Sequence, residues 1–375
     1  MKVALVHDWL ITYRGGEKVL EALCELFPEA EIFTLFHEKG AMPDVLEQRR
    51  ITTAFVDAIP FARSHHRHWL PLFPAAIEAL SLDGFDLVVS SSHCVAKGVK
   101  KPSGARHLSY VHAPMRYVWG RFDDYFGPGR ASPAVRLAAT TLRPFLRAWD
   151  RKSARGVDRF VANSHHIAQQ IASLYGRQAR VVHPPVELDR FTALPLETSG
   201  RGGYFLWMGA LAPYKRVDLA IEAFARLGLP LRVAGSGQEG RRLASALPKN
   251  VELLGQVSDA DLPALLHGAR ALVFTGEEDF GLTPLEAQAT GRPVIAFGRG
   301  GALETVTKRT GLFFDEQTPV ALTAAVQGFE EFERTFVPAE ARKNAQRFSR
   351  PAFLEGMRAE IAAVMAGPDG GATAP

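Results

Sequence analysis

The sequence predicts two consecutive α/β domains, each a parallel sheet covered by helices on both faces. Three observations carry the prediction. Short apolar runs alternate with stretches whose apolar residues recur every three or four positions, the pattern of strand and helix in turn. The alternation halts near residues 182–203, where VHPPVELDRF and the glycine-rich ETSGRGG punctuate the chain, and then restarts. The 375 residues are enough for two domains of ordinary size.

Taken in order, residues 2–6 form the first strand, and residues 16–27 a helix with Val19, Leu20, Leu23 and Leu26 on one side. Residues 31–35, 85–90, 107–112 and 159–162 supply further strands. After the linker, residues 204–207 are a strand and 216–227 a helix. Residues 231–234 and 251–254 are strands, and 259–267 a helix. Residues 271–274 and 293–297 flank the helix that begins at Thr283. A strand at 311–314 and a helix at 319–331 close the set. A last helix, 351–366, is expected to pack back on the first domain. The expected division is therefore 1–187 with 351–366, then 188–350, with GPDGGATAP (367–375) a frayed tail.

Composition narrows the function. The chain is 47% hydrophobic and 22% charged, which reads as soluble and globular. No apolar run reaches the roughly 20 residues a membrane helix requires. Asp8 and Arg14 interrupt the apolar start, so it reads as a strand and loop instead of a signal peptide. Cys24 and Cys94 lack metal spacing, which points to a reducing compartment. Up to Arg190 there are 25 Lys and Arg against 19 Asp and Glu; beyond it, 19 against 21. The basic first half suits an anionic partner, or serves only solubility. No zinc-finger, RNP or basic-zipper pattern is present, which argues against nucleic acid.

The most informative stretch is TGEEDFGLTPLEAQATGRPVIA (275–296). Glu278 and Glu286 lie eight positions apart, too far to share one turn of one helix. Thr283 reads as an N-cap, Pro284 as the first helical residue and Glu286 as the end of a capping box. The segment is then strand, acidic loop and helix start. Free N–H groups at such a helix start, beyond the carboxyl end of a parallel strand, suit phosphate. The plain alternative is a capped helix behind a solvated loop.

Other strand ends carry candidates. Gly15 and Gly16 open the first helix and either let a phosphate or sugar approach the backbone or merely make a turn. His112, in SYVHAPMRYVWG, either meets a substrate hydroxyl or is a satisfied core histidine. Lys215 and Arg216 place two cations at a helix start, against its dipole, which favours a functional reading. Gly235-Ser236-Gly237 could let a nucleotide base lie close. Asp259 and Asp261 read as helix-start residues, not metal ligands.

These residues together resemble the retaining glycosyltransferases of the GT-B fold, family 4, also called group 1. The E-x7-E text from Glu278 to Glu286 carries the resemblance, supported by MGALAPYKRVDLAIEAF, VAGSGQE, LLGQVSDADL and GGALETV. YVHAPMRYVWG resembles the bacterial branch that contains GDP-mannose-dependent mannosyltransferases. The resemblance implies two Rossmann-like doubly wound domains facing a central cleft, and retention of the α configuration without a metal or other cofactor. It implies that Glu278 and the N–H groups of Phe280 and Gly281 contact the donor sugar. Leu282 and Thr283 then contact phosphate, Glu286 the ribose diol and Lys215 the diphosphate. Gly16 makes room for the donor phosphate and His112 lies beside the reacting sugar. Ala210 departs from the pattern, since the family commonly has Arg there; Arg216 is the nearest substitute in sequence.

The expected reaction moves a hexose, mannose by preference, from a nucleotide diphosphate sugar to a saccharide or polyprenyl-diphosphate-linked acceptor, in surface polysaccharide or glycolipid synthesis. The rivals are an ADP- or UDP-glucose-dependent glucosyltransferase and a non-catalytic nucleotide-sugar-binding module. The stretches 60–74 and 135–149 mix Arg, His and aromatics with apolar residues. They read either as helices packed on the first domain or as surfaces for an anionic membrane, with the protein on its cytoplasmic face.

Overall fold

The computed structural model describes residues 1–64, 66–196 and 203–367. Most of the expected linker ETSGRGG and of the expected tail lies outside the described residues. The chain forms two compact units, one of Met1–Pro185 with the chain from Arg350 on, the other Val186–Ser349.

The first unit holds seven strands: β1 (Val3–His7), β2 (Glu31–Thr34), β3 (Ile51–Thr53), β4 (Leu87–Ser92), β5 (Arg106–Val111), β6 (Arg159–Ala162) and β7 (Ala179–Val181). They pair in the order β3-β2-β1-β4-β5-β6-β7, all parallel. The reversal of winding falls between β1 and β4, so the loops after those strands diverge and leave room between them.

Alternation along β1 shows why both faces are covered. Ala4 and Val6 join a core with Phe33, Val88, Phe73 and Trp149. Val3 and Leu5 point the other way, to Leu20, Leu23 and Val89. The Arg350–Ala366 helix closes this second face with Phe353, Met357, Ile361 and Val364.

A buried ion pair anchors the long Pro133–Ser153 helix to this unit. Lys97 Nζ donates to Asp150 Oδ1 at 2.6 Å, and Trp119 Nε1 and Tyr175 Oη donate to Asp150 Oδ2 at 2.7 and 2.8 Å. The charges are tolerable inside because both carboxylate oxygens accept hydrogen bonds.

The second unit holds β8 (Tyr204–Met208), β9 (Leu231–Ala234), β10 (Val251–Gly255), β11 (Ala269–Phe274), β12 (Val294–Phe297) and β13 (Gly311–Phe314). Their order is β10-β9-β8-β11-β12-β13, again parallel, with the reversal between β8 and β11. Ala271 and Val273 face one core, Leu272 and Phe274 the other. Val186 belongs here because its N–H donates to Phe348 O at 2.9 Å.

Among the described residues, no helix is long and apolar enough to cross a membrane.

Candidate active site

In the second unit, the loops after β8 and β11 meet because those strands are neighbours. Trp207 Nε1 donates to the buried Thr275 hydroxyl at 3.0 Å. That hydroxyl lies 2.8 Å from Lys215 O and 2.9 Å from Arg216 O, to which it donates in turn. Gln317 Nε2 holds Thr275 O at 2.9 Å. Gly276 lets the two backbones come together: a Cβ there would lie 3.0 Å from Lys215 Cα.

This framework brings Lys215 and Glu278 together across 63 positions of sequence. Lys215 Nζ lies 2.8 Å from Glu278 Oε1, with side chains 14% and 19% exposed. Both groups therefore remain within reach of solvent and of a ligand.

The backbone of the acidic loop is gripped from the other side by Gly300 and Gly301. Gly301 N–H donates to Glu278 O at 2.8 Å. A Cβ on Gly301 would lie 2.2 Å from Phe280 Cα, and one on Gly300 would lie 2.4 Å from Glu278 O. Phe280 is buried and packs edge-on against Phe348 at 5.6 Å.

The start of the next helix corrects one expectation. The helix runs Leu282–Ala289 with Gly281 at its N-cap, φ 85°, and has no side-chain cap. Thr283 is the second helical residue, Pro284 the third, and Glu286 lies in the second turn, so there is no capping box. The positive φ that Gly281 adopts without penalty ends the loop earlier than a threonine cap would. Pro284 fits because N–H groups of the first turn have no intrahelical partner. Glu286 thus loses its capping rationale. It faces Arg190, whose Nη2 lies 3.8 Å from its carboxylate and whose Nη1 lies 3.5 Å from Asp259 Oδ2.

Other predicted residues resolve individually. Arg216 adopts φ 51° and binds Asp218 in the first turn of the Val217–Leu227 helix, at 3.2 Å. Both cations at that helix start are therefore met by carboxylates, which relieves the conflict with the dipole. Gly235 and Gly237 serve the packing of two loops: a Cβ on Gly235 would lie 1.8 Å from Gly209 O, and one on Gly237 2.7 Å from Leu211 O. Ala210 is exposed at the tip of this region. Ser258 Oγ donates to Asp261 Oδ2 at 2.6 Å, a local turn.

In the first unit, Gly15 and Gly16 open the Gly15–Leu26 helix beyond β1. A Cβ on Gly16 would lie 3.5 Å from His7 Cε1 and 3.9 Å from His112 Nε2, so this glycine borders two histidines. A polar chain runs through them. Glu17 Oε1 lies 3.4 Å from His7 Nε2, His7 Nδ1 lies 3.1 Å from Ser91 Oγ, and Ser91 Oγ lies 2.8 Å from His112 Nε2. Burial, with His93 and His7 nearby, pushes His112 well below its ordinary pKa, so the ring is neutral. Burial would raise Glu17, but its hydrogen bond to His7 and the nearby histidines hold its carboxyl below the usual range.

Beside this chain, Asp8 is fully buried and accepts four backbone N–H groups, from His93, Cys94, Val95 and Ala96, at 2.6 to 2.9 Å. His93 lies against it at 3.1 Å.

Sequence reasoning names Lys215, Glu278, Gly16 and His112, and the structure brings Lys215 to Glu278 and Gly16 to His112. It misses Arg190, Thr275, Asp8, His7 and Ser91. The Gly300-Gly301 pair was visible as a signal; a polar residue ending a strand, as at His7, Asp8 and Ser91, was the available sign for the others.

Two family models match the chain: Glycosyltransferase Family 4 over residues 13–190, and Glycosyl transferases group 1 over residues 196–348. The chain belongs to this glycosyltransferase family. Its fold is GT-B, two Rossmann-like parallel-sheet domains. The crystal structure of HepE from Anabaena in complex with UDP shares that fold, with a TM-score of 0.68 at 16% identity over 97% of this chain and 100% of that one. A D-inositol 3-phosphate glycosyltransferase of Geodermatophilus obscurus is 32% identical over 51% of this glycosyltransferase chain and 49% of its own length. The alpha-1,3/1,6-mannosyltransferase ALG2 of Mus musculus is 26% identical over 74% of this chain and 73% of its own. The chain thus spans about half the length of the first of these relatives and almost three quarters of the second.

Proposed function

We propose that the protein transfers a hexose, mannose by preference, from a nucleotide diphosphate sugar to a saccharide or polyprenyl-diphosphate-linked acceptor. GDP-mannose is the favoured donor, and the α configuration is retained. The Lys215–Glu278 pair carries this reading: a cation and a carboxylate, both reachable, set beside the start of the Leu282–Ala289 helix. The similarity to a mannosyltransferase over most of the chain supports the choice of sugar.

Each residue has a role in this proposal. Lys215 and the N–H groups of Leu282 and Thr283 meet the diphosphate, where charge develops as the sugar departs. No metal is needed if they carry that charge. Glu278 and the N–H groups of Phe280 and Gly281 hold sugar hydroxyls. Glu286, relieved of any capping duty, accepts hydrogen bonds from the ribose diol. Gly15 and Gly16 admit a phosphate, and His112 meets the reacting sugar. Gly235 and Gly237 shape the loop nearest the base. Arg216, bound to Asp218, does not replace the arginine missing at Ala210, so Lys215 bears more of the phosphate charge.

The test is a panel of GDP-mannose, UDP-glucose and ADP-glucose, read by donor hydrolysis and by thermal shift. Mannose release and stabilisation by GDP-mannose alone support the proposal. Preference for UDP-glucose favours the glucosyltransferase reading, which the HepE–UDP complex motivates. Stabilisation without hydrolysis or transfer favours a binding module.

We also propose that the Pro133–Ser153 helix meets an anionic membrane surface from the cytoplasmic side. Its second half packs inward through Leu146 and Trp149, while Val135, Arg136, Leu137 and Phe145 are exposed, Leu137 at 70%. No acidic residue occurs between Pro133 and Trp149. An exposed apolar face without negative charge suits anionic lipid. The 60–74 stretch contributes less, because Ala62, Leu70 and Phe73 are core residues. Both cysteines are free and buried, which accords with a reducing compartment. Flotation with anionic vesicles at low and high salt tests this; absence of binding at both rejects it.

A further inference from the structure

We infer that Glu17, His7 and Ser91 form a positioning chain that dictates which ring nitrogen His112 offers to a bound sugar. The inference rests on the proposed placement of His112 beside the sugar, and it follows from counting donors and acceptors.

All four side chains are nearly sealed from solvent: Glu17 is 5% exposed, His7 and Ser91 0%, and His112 8%. Glu17, His7 and Ser91 must therefore find their hydrogen-bond partners within the protein. The Glu17 carboxylate can only accept. One of its oxygens already takes the Arg14 N–H at 2.8 Å; the other faces His7 Nε2 at 3.4 Å. His7 must then carry its proton on Nε2.

His7 is taken as uncharged, so that Nε2–H leaves its Nδ1 bare. Ser91 therefore points its hydroxyl hydrogen at His7 Nδ1, across 3.1 Å. Having donated there, Ser91 Oγ can only accept from His112, across 2.8 Å. The proton of His112 lies on Nε2, and its Nδ1 is left as a lone-pair acceptor. The low basicity of buried His112 keeps the ring neutral, so the lone pair is retained.

Two further contacts hold the His112 backbone while the chain sets the ring. His112 N–H donates to Ser92 O at 2.8 Å, and Asn163 Nδ2 donates to His112 O at 3.0 Å. Tyr110 packs edge-on against the ring at 5.2 Å, and Ser91 supplies its hydrogen bond. The predicted ligand chemistry is specific: His112 accepts a hydrogen bond from a sugar hydroxyl and does not donate one. Glu17, His7 and Ser91 act through His112 and are positioning residues.

The test uses full-length protein labelled with ring-15N histidine. The His112 signals are assigned by their loss in His112→Gln, and tautomers are read from the ring nitrogen shifts. The expected wild-type state is neutral His112 with Nε2–H. Ser91→Ala should populate both tautomers and lower kcat about tenfold with KM nearly unchanged, the loss of roughly one hydrogen bond from the transition state. Ser91→Thr, which keeps the hydroxyl, should restore the single tautomer. Melting temperatures of the variants show whether the fold is retained. An Nδ1–H tautomer in the wild type means that the chain runs the other way, with His7 charged, and overturns the inference. Unchanged tautomer populations in Ser91→Ala overturn it as well. The expected tautomer supports the chain even in a protein that transfers no sugar, so this failure and that of the proposed function are distinguishable.

Discussion

Lys215 and Glu278 stand 2.8 Å apart in the loops that follow two neighbouring strands, and each is a counter-ion to the other. An arriving diphosphate competes with Glu278 for the ammonium, and a sugar hydroxyl competes with Lys215 for the carboxylate. The pair is a ready-made site at rest. Replacing Lys215 by Ala should lower turnover about 100- to 1,000-fold, the usual cost of losing one group aimed at developing charge. Glu278→Gln should also impair transfer. Because both side chains are mostly buried, at 14% and 19% exposed, losing one leaves the other short of its counter-ion, and either change should cost about 1–3 kcal/mol of stability. Steady-state kinetics and thermal melts check both halves of the expectation.

Gly16 separates fold from function more sharply. Its backbone lies outside the left-handed region, and a Cβ would meet nothing closer than 3.5 Å. Gly16→Ala should therefore fold with unchanged or slightly raised stability, since alanine is the better helix residue by roughly 0.5–1 kcal/mol. If the donor phosphate uses this space, transfer should fall at least tenfold. A normal melt with lost transfer is the expected result; full activity removes Gly16 from the site.

Gly301 tells the opposite story. Alanine there would drive its Cβ to 2.2 Å from Phe280 Cα, so the acidic loop must shift. The Gly301 N–H bond to Glu278 O would be disturbed in the same step. Gly301→Ala should destabilise the protein by about 1–3 kcal/mol and weaken donor binding, because it displaces Glu278. Thermal melts with and without GDP-mannose read both effects.

Acid should destabilise the first unit through buried neutral histidines. Burial pushes His93 and His107 each from 6.5 to about 4. The unfolded chain takes up these protons near pH 6.5, the folded chain only near pH 4. Stability is therefore complete above pH 6.5 and falls as pH drops toward 4, by on the order of 3 kcal/mol for each histidine. Melting temperatures from pH 7 to pH 4 should show the decline. His107→Gln should flatten part of it; an unchanged slope refutes the contribution of His107.

Much of the architecture is legible in the sequence because both sheets are buried on both faces. A parallel strand covered on two sides reads as a continuous apolar run, as in β11. The edges do not follow that rule. β3 (ITT) and β7 (ARV) are short, have no fully buried residue, and lack such a run. The His165–Tyr175 helix carries signals the reading passes over: Ser164 caps it, Ile167 and Ile171 lie four apart, and Gly176 ends it in the left-handed region. Two adjacent histidines in its first turn dilute the apolar period. The Leu282–Ala289 helix is legible in existence but not in its start, because Gly281 and Thr283 both offer an ending and only backbone geometry chooses.

The site divides the same way. Lys215 and Glu278 are legible as text, but their contact depends on β8 lying beside β11, a matter of topology. His7 and Ser91 are ordinary letters in apolar strands. They acquire meaning only when β1 and β4 pair in register, His7 opposite Ser91.

Asp8 has a consequence for what the first sheet can capture. The four amide hydrogens from His93 to Ala96 form a concave cradle of the kind that elsewhere receives phosphate, and the protein has stoppered it with its own carboxylate. An incoming anion finds that berth taken. Removing the stopper, as in Asp8→Gly, should leave an oxyanion-sized socket that inorganic phosphate refills.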